Sequence, residues 1–133
     1  MLKILIIDDE QGIRDLLDTL LRRKGYDVVV AKNGQEGLKV FRRERPDVVV
    51  LDLRMPEMDG ITALREIRTL DPHKPVIILT GAGTLEVEQQ FRALGATEFV
   101  EKEFSLHIGP HAVVGDGSKI GVASEGISRA GRR

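Results

Sequence analysis

VVVLDLRMPEMDG, residues 48–60, holds the contrast on which the reading of this chain turns. Val48 to Leu51 form an apolar run of strand type. It ends on one acid, Asp52, and then enters a loop holding Met55-Pro56 and Asp59-Gly60. A nearly continuous Val/Leu run reads as a strand covered on both faces. Asp52 is then either an ordinary turn acid or a chemical group held at the end of a buried strand.

Four further runs resemble this one: LKILII (2–7), DVVVA (27–31), PVIILT (75–80) and TEFVE (97–101), with DVVVL (47–51) between them. The intervening segments have helical spacing. Ile13, Leu16, Leu17, Leu20 and Leu21 form one stripe, and Gly25 follows as a stop. Asn33 with Glu36 predicts a capping box for a second helix, whose buried face is Leu38 and Phe41 and whose end is enforced by Pro46. Ile61, Leu64, Ile67 and Leu70 mark a third helix closed by Asp71-Pro72. Val87, Phe91 and Leu94 mark a fourth, opened by Thr84 with Glu86 and Glu88 in its first turn and ended by Gly95. The alternation βαβαβαβαβ with short links predicts a parallel sheet with helices on both faces and right-handed crossovers.

Composition narrows the classes of function. The chain has 133 residues, 41% hydrophobic, with little aromatic content and a net charge of −1. This predicts one aliphatic-cored domain, with no global field for nucleic acid or membrane. No cysteine is present, so disulfides and thiolate chemistry are excluded. No segment has the length of a membrane span, and Leu2–Ile7 is too short for a signal core, so the expectation is a soluble, cytoplasmic protein.

In an open parallel sheet, ligands bind beyond the carboxyl ends of the strands. Those ends carry Asp8-Asp9, Asp52 and Thr80, and Lys102 follows the fifth strand. Three carboxylates in one crevice repel unless a cation sits among them, and hard oxygen donors suit magnesium. A hydroxyl and an ammonium opposite them suit phosphate oxygens. Asp52 therefore reads as a nucleophile at a metal-assisted phosphoryl-transfer site.

IIDDE (6–10), VVVLDLRMPEMDG (48–60), VIILTG (76–81) and FVEK (99–102) resemble, in order and spacing, the receiver domain of two-component response regulators. The resemblance covers residues 1–106. It implies a doubly wound, five-stranded, CheY-like sheet of order 2-1-3-4-5, with Asp52 as phosphoacceptor and Mg2+ ligand. By the same resemblance Asp9 is a direct metal ligand, Asp8 acts through water, and the Arg54 carbonyl completes the protein's share. The Arg54 side chain would point to the mouth of the site.

Thr80 becomes the switch hydroxyl, with Gly81 and Ala82 leaving room for it. Phe99 becomes the aromatic switch residue and Lys102 the phosphate-binding ammonium. Plainer readings stand beside these: Asp9 as helix N-cap, Thr80 as a β-branched strand residue, Phe99 as core, Lys102 as a surface lysine. Met55, Pro56 and Gly60 read as loop-shaping residues and Asp59 as the cap of the third helix.

Two features depart from the family. Glu103 stands where a proline with a cis peptide usually follows the lysine. A cis bond before a non-proline residue costs about 3–4 kcal/mol, so a trans bond and a less firmly aimed Lys102 are expected. The usual fifth helix is also absent or replaced: residues 107–133 contain six glycines and no helical stripe. IGPHAV, VGDGSK and IGVASE repeat at six residues, so the stretch 108–126 is similar to a hexapeptide-repeat (left-handed β-helix) segment. That is about one coil, too little to stand alone and without an acyltransferase site. Disorder, irregular packing over the surface of the missing helix, and pairing with further copies are the alternatives for this tail. Pairing, making it an oligomerisation segment, is the favoured one.

The functional expectation is a phosphorylation-dependent switch of a two-component phosphorelay rather than a turnover enzyme. Its partners would be a histidine kinase or phosphotransfer protein, a downstream protein, and a homo-oligomer through the tail, without nucleic acid or membrane. The alternative is a receiver-like structural module with weak or lost phosphorylation. A flavodoxin-like nucleotide binder lacks a glycine-rich loop after the first strand.

Overall fold

A computed structural model describes residues 1–53, 55, 58–80 and 85–101, with the side chains of Thr80, Leu85 and residues 98–101 left aside. The elements run β1 (Lys3–Ile7), α1 (Gln11–Arg23), β2 (Asp27–Ala31), α2 (Gly34–Glu44), β3 (Val48–Asp52), α3 (Gly60–Leu70), β4 (Val76–Thr80), α4 (Leu85–Ala93) and β5 (Glu98–Glu101). Every expected strand is present within one residue of its sequence limits. The five strands form one parallel sheet of order β2-β1-β3-β4-β5, as the sequence implied. The expected opening of the fourth helix at Thr84, the Glu103 peptide bond, the missing fifth helix and the tail 107–133 lie outside the described residues.

The strands read as unbroken apolar runs because each feeds two cores. Leu5, Ile7, Val49, Leu51, Val76 and Ile78 face one way and join Leu38 and Phe41 of α2, Leu64 and Ile67 of α3, and Phe91 of α4. Ile4, Ile6, Val48, Val50, Ile77 and Leu79 face the other way and join Ile13, Leu17 and Leu21 of α1. Fully burying each such side chain contributes about 1.5–3 kcal/mol. Leu70, expected on the buried stripe of α3, is instead exposed at the last residue of that helix.

Local chemistry sets the helix limits. Asn33 Oδ1 accepts from Glu36 N (2.8 Å), the first half of the expected box. The Glu36 carboxylate reaches Lys32 N (3.3 Å) in place of Asn33 N. Gly25 (φ +93°) and Gly95 (φ +81°) follow α1 and α4 in the left-handed region, where glycine carries no Cβ penalty.

Two arginines tie elements together through backbone carbonyls. Arg68 of α3 donates to Leu94 O, Gly95 O and Lys74 O, each at 2.7 Å, so one guanidinium joins α3, the end of α4 and the approach to β4. Burial lowers its pKa from the ordinary arginine value, and Asp71 acts in the opposite sense. Arg22, at the end of α1, is paired with Asp18 and donates to Val28 O of β2 at 2.7 Å.

Candidate functional site

The site begins where β1 stops. Asp8 N donates to Ala31 O (3.1 Å), so the β1–β2 ladder holds Asp8 although it lies just past the strand. Asp8 is fully buried, and its Oδ1 accepts from Glu10 N (2.9 Å). Its carbonyl accepts from Arg14 Nη1 at 2.8 Å. Backbone, side chain and carbonyl of this one residue are therefore each held from a different direction.

Asp9 does not cap α1. Glu10 occupies the N-cap position, and no side chain hydrogen-bonds the helix there. The plainer reading of Asp9 thus loses its structural basis, and Asp9 is exposed. Carboxylate oxygens of Asp8, Asp9 and Glu10 lie within 4.8 Å of one another. Like charges at about 4 Å repel by roughly 1–4 kcal/mol per pair under water-like to surface-like screening. Glu10 was not singled out by sequence reasoning, although it stands in the IIDDE motif directly after the two aspartates. Arg14 was missed too, since its partner is a main-chain oxygen rather than an acid.

Asp52 stands across the sheet from this cluster, at the end of the neighbouring strand. Ile7 pairs with Leu51 in the β1–β3 ladder, so the next step of the register sets Asp8 beside Asp52. The Asp52 side chain is 3% exposed at the last residue of β3. The loop after it is held tightly: Leu53 N donates to Leu79 O and Gly60 N to Leu53 O, both at 3.0 Å. A Cβ on Gly60 would lie 2.5 Å from Asp52 O, so this position needs glycine for space. Asp59 caps α3 by accepting from Thr62 N (2.9 Å), as expected, and Met55 is buried in the core.

Thr80 ends β4 and pairs with Glu101, the residue before Lys102. Phe99 lies on β5 opposite Ile78. The side chains of Thr80 and Phe99, together with Arg54, Gly81, Ala82 and Lys102, lie outside the described residues. The described part of the site is therefore its acidic half. Asp8, Asp9 and Glu10 converge, and Asp52 stands one strand away. A set of hard carboxylate oxygens of this kind fits a small divalent cation with water in its remaining positions.

The profile of the response regulator receiver domain matches residues 4–112. Sporulation initiation phosphotransferase F of Bacillus subtilis (strain 168) is 41% identical over 104 residues, which are 78% of this chain and 84% of that protein. The regulatory protein AtoC of Escherichia coli (strain K12) is also 41% identical over 104 residues, but the chain spans only 23% of its length. Among solved structures, a response regulator receiver domain protein from Clostridium thermocellum superposes with a TM-score of 0.84 at 34% identity, covering 100% of this chain and 96% of that one. Among the described residues no helix is long and apolar enough to cross a membrane. Fold, acidic half-site and sequence agree, and the chain belongs to the response regulator receiver domains, the phosphorylation-dependent signalling modules of two-component systems.

Proposed function

We propose that Asp52 is the phosphoryl acceptor and that Asp8, Asp9, Asp52 and the Arg54 carbonyl hold Mg2+. The observation that carries this reading is a buried carboxylate at the end of β3, one register step from Asp8 and its acidic neighbours. A bound Mg2+ supplies charge neutralisation for the phosphoryl oxygens. In the transfer, an Asp52 oxygen attacks the phosphorus of a phosphohistidine on a kinase or phosphotransfer protein. The P–N bond breaks, the imidazole leaves with its electron pair and takes up a proton, and an acyl phosphate remains on Asp52. Lys102 and the Thr80 hydroxyl bind phosphoryl oxygens, and Phe99 changes position with Thr80. Water later cleaves the acyl phosphate and restores the carboxylate, so the domain assists its own chemistry without being a turnover enzyme.

The finer domain reading is part of the same proposal. Residues 1–106 form the receiver and 107–133 a glycine-rich segment that joins copies of the chain. Output is then protein binding or assembly in the cytoplasm, without nucleic acid or membrane.

Native mass spectrometry with Mg2+ and acetyl phosphate tests both parts. The expected result is a single phosphoryl adduct on the unmodified chain and none on Asp52→Asn, with more than one subunit per particle. Absence of an adduct would overturn the phosphoacceptor and leave the structural-module reading. A monomer at high concentration would remove the role given to the tail.

A further inference from the structure

We propose that Arg14 is a positioning residue for the metal-binding acids, acting through the peptide plane between Asp8 and Asp9. The inference rests on the reading of those acids as Mg2+ ligands. Arg22 and Arg92 both reach back four residues along their helices to an acid, Asp18 and Glu88. Arg14 has Glu10 at the same spacing, yet its guanidinium is hydrogen-bonded to Asp8 O instead, at 2.8 Å. It is half-buried, so it is not a freely solvated surface arginine.

The carbonyl it holds has a specific consequence. A peptide unit is planar, so fixing the direction of Asp8 C=O also fixes where Asp9 Cα lies, the atom from which the Asp9 side chain departs. Asp8 N is held by Ala31 O, and Asp8 Oδ1 takes Glu10 N. Those two bonds fix the near side of the plane and the Asp8 carboxylate, but neither fixes the rotation of the plane itself. Arg14 does. It also brings a permanent positive charge to a turn whose three carboxylate oxygens lie within 4.8 Å of one another. The hydrogen bond spans from α1 back to the strand end, so the helix and the acidic turn behave as one unit.

The experiment is isothermal titration calorimetry with Mg2+ on the full chain and on Arg14→Ala and Arg14→Lys. It is accompanied by acetyl phosphate labelling across a Mg2+ series. Outer-shell partners of metal ligands change affinity by about 10–100-fold, and the low end applies to a ligand held through its backbone, so about a tenfold rise in Kd is expected for Arg14→Ala. Arg14→Lys should recover part of it. The half-saturating Mg2+ concentration for labelling should rise in step, with a smaller change in the rate at saturating Mg2+. Mg2+ affinity unchanged or tighter in Arg14→Ala overturns the proposal, as does a lost labelling rate at unaltered affinity. Failure of the unsubstituted chain to bind Mg2+ overturns the metal reading beneath it. If Arg14→Ala does not fold by circular dichroism, Arg14→Gln carries the same comparison.

Discussion

At Gly60, three heavy atoms crowd the place where a Cβ would stand. Asp52 O is 2.5 Å away, Leu53 O 2.8 Å and Leu53 Cα 3.0 Å, all of them main chain. Main-chain atoms cannot rotate aside as a side-chain tip can, so Gly60→Ala must move the β3–α3 loop. It should destabilise the domain by about 1–3 kcal/mol, the usual range for overpacking, measured by urea unfolding. Because the crowded atom belongs to Asp52, the same variant should accept phosphate more slowly from acetyl phosphate than Asp59→Ala, which loses only a helix cap. The Asp-Gly pair was visible in the sequence as a turn, and Asp59 was correctly read as a cap. The reason for the glycine was not visible, since it is a long-range approach of backbones and not a positive φ. Asp9 shows the converse. Its type favours an N-cap, but Asp8 Oδ1 already takes the Glu10 amide and helix α1 starts one residue later.

Between elements, Arg68 closes the C-terminal end of α4 onto α3. Three bonds of 2.7 Å to carbonyls are charge-assisted, a class that contributes about 1.5–3 kcal/mol each when taken singly and less than additively together. Arg68→Ala should therefore lower stability by about 2–4 kcal/mol and accelerate amide exchange at Gly95 and Ala96 more than in β1. Lysine at this position should recover little, because one ammonium cannot reproduce a planar fork that reaches Leu94, Gly95 and Lys74 at once. The strands were legible because burial on two sides leaves an unbroken apolar run, and the helix faces because burial on one side leaves a period. Arg68 and Arg14 were not, for a shared reason. Their partners are carbonyl oxygens, which every residue has, so no pattern of residue types marks them. Arg68 reaches across 26 residues to Leu94, beyond any helical spacing.

On the scale of the whole molecule, the proposed Mg2+ site would couple metal binding to folding. Asp8 and Asp9 follow the end of β1 and Asp52 ends β3, so only the folded sheet sets Asp52 on the strand next to the acidic turn. A cation held by them binds the native state alone, and at 100 times its Kd it should add about 2.7 kcal/mol to stability. Thermal unfolding in saturating MgCl2 should show a rise in Tm that EDTA abolishes and that Asp9→Asn reduces. An unchanged Tm would mean that these acids do not gather a metal. The sheet itself has a feature that bears on assembly. Asp27, Val29 and Ala31 turn their main-chain groups toward β1, which leaves those of Val28 and Val30 pointing away from the sheet. An outer strand of this kind is a template for one more strand, and exposed Val30 would add to its attraction. Arg22 occupies the Val28 oxygen on that border, held there by Asp18. A single ion-paired side chain thus acts as a hem. Any strand added along that border would first have to unpick this stitch, displacing Arg22 from the Val28 oxygen.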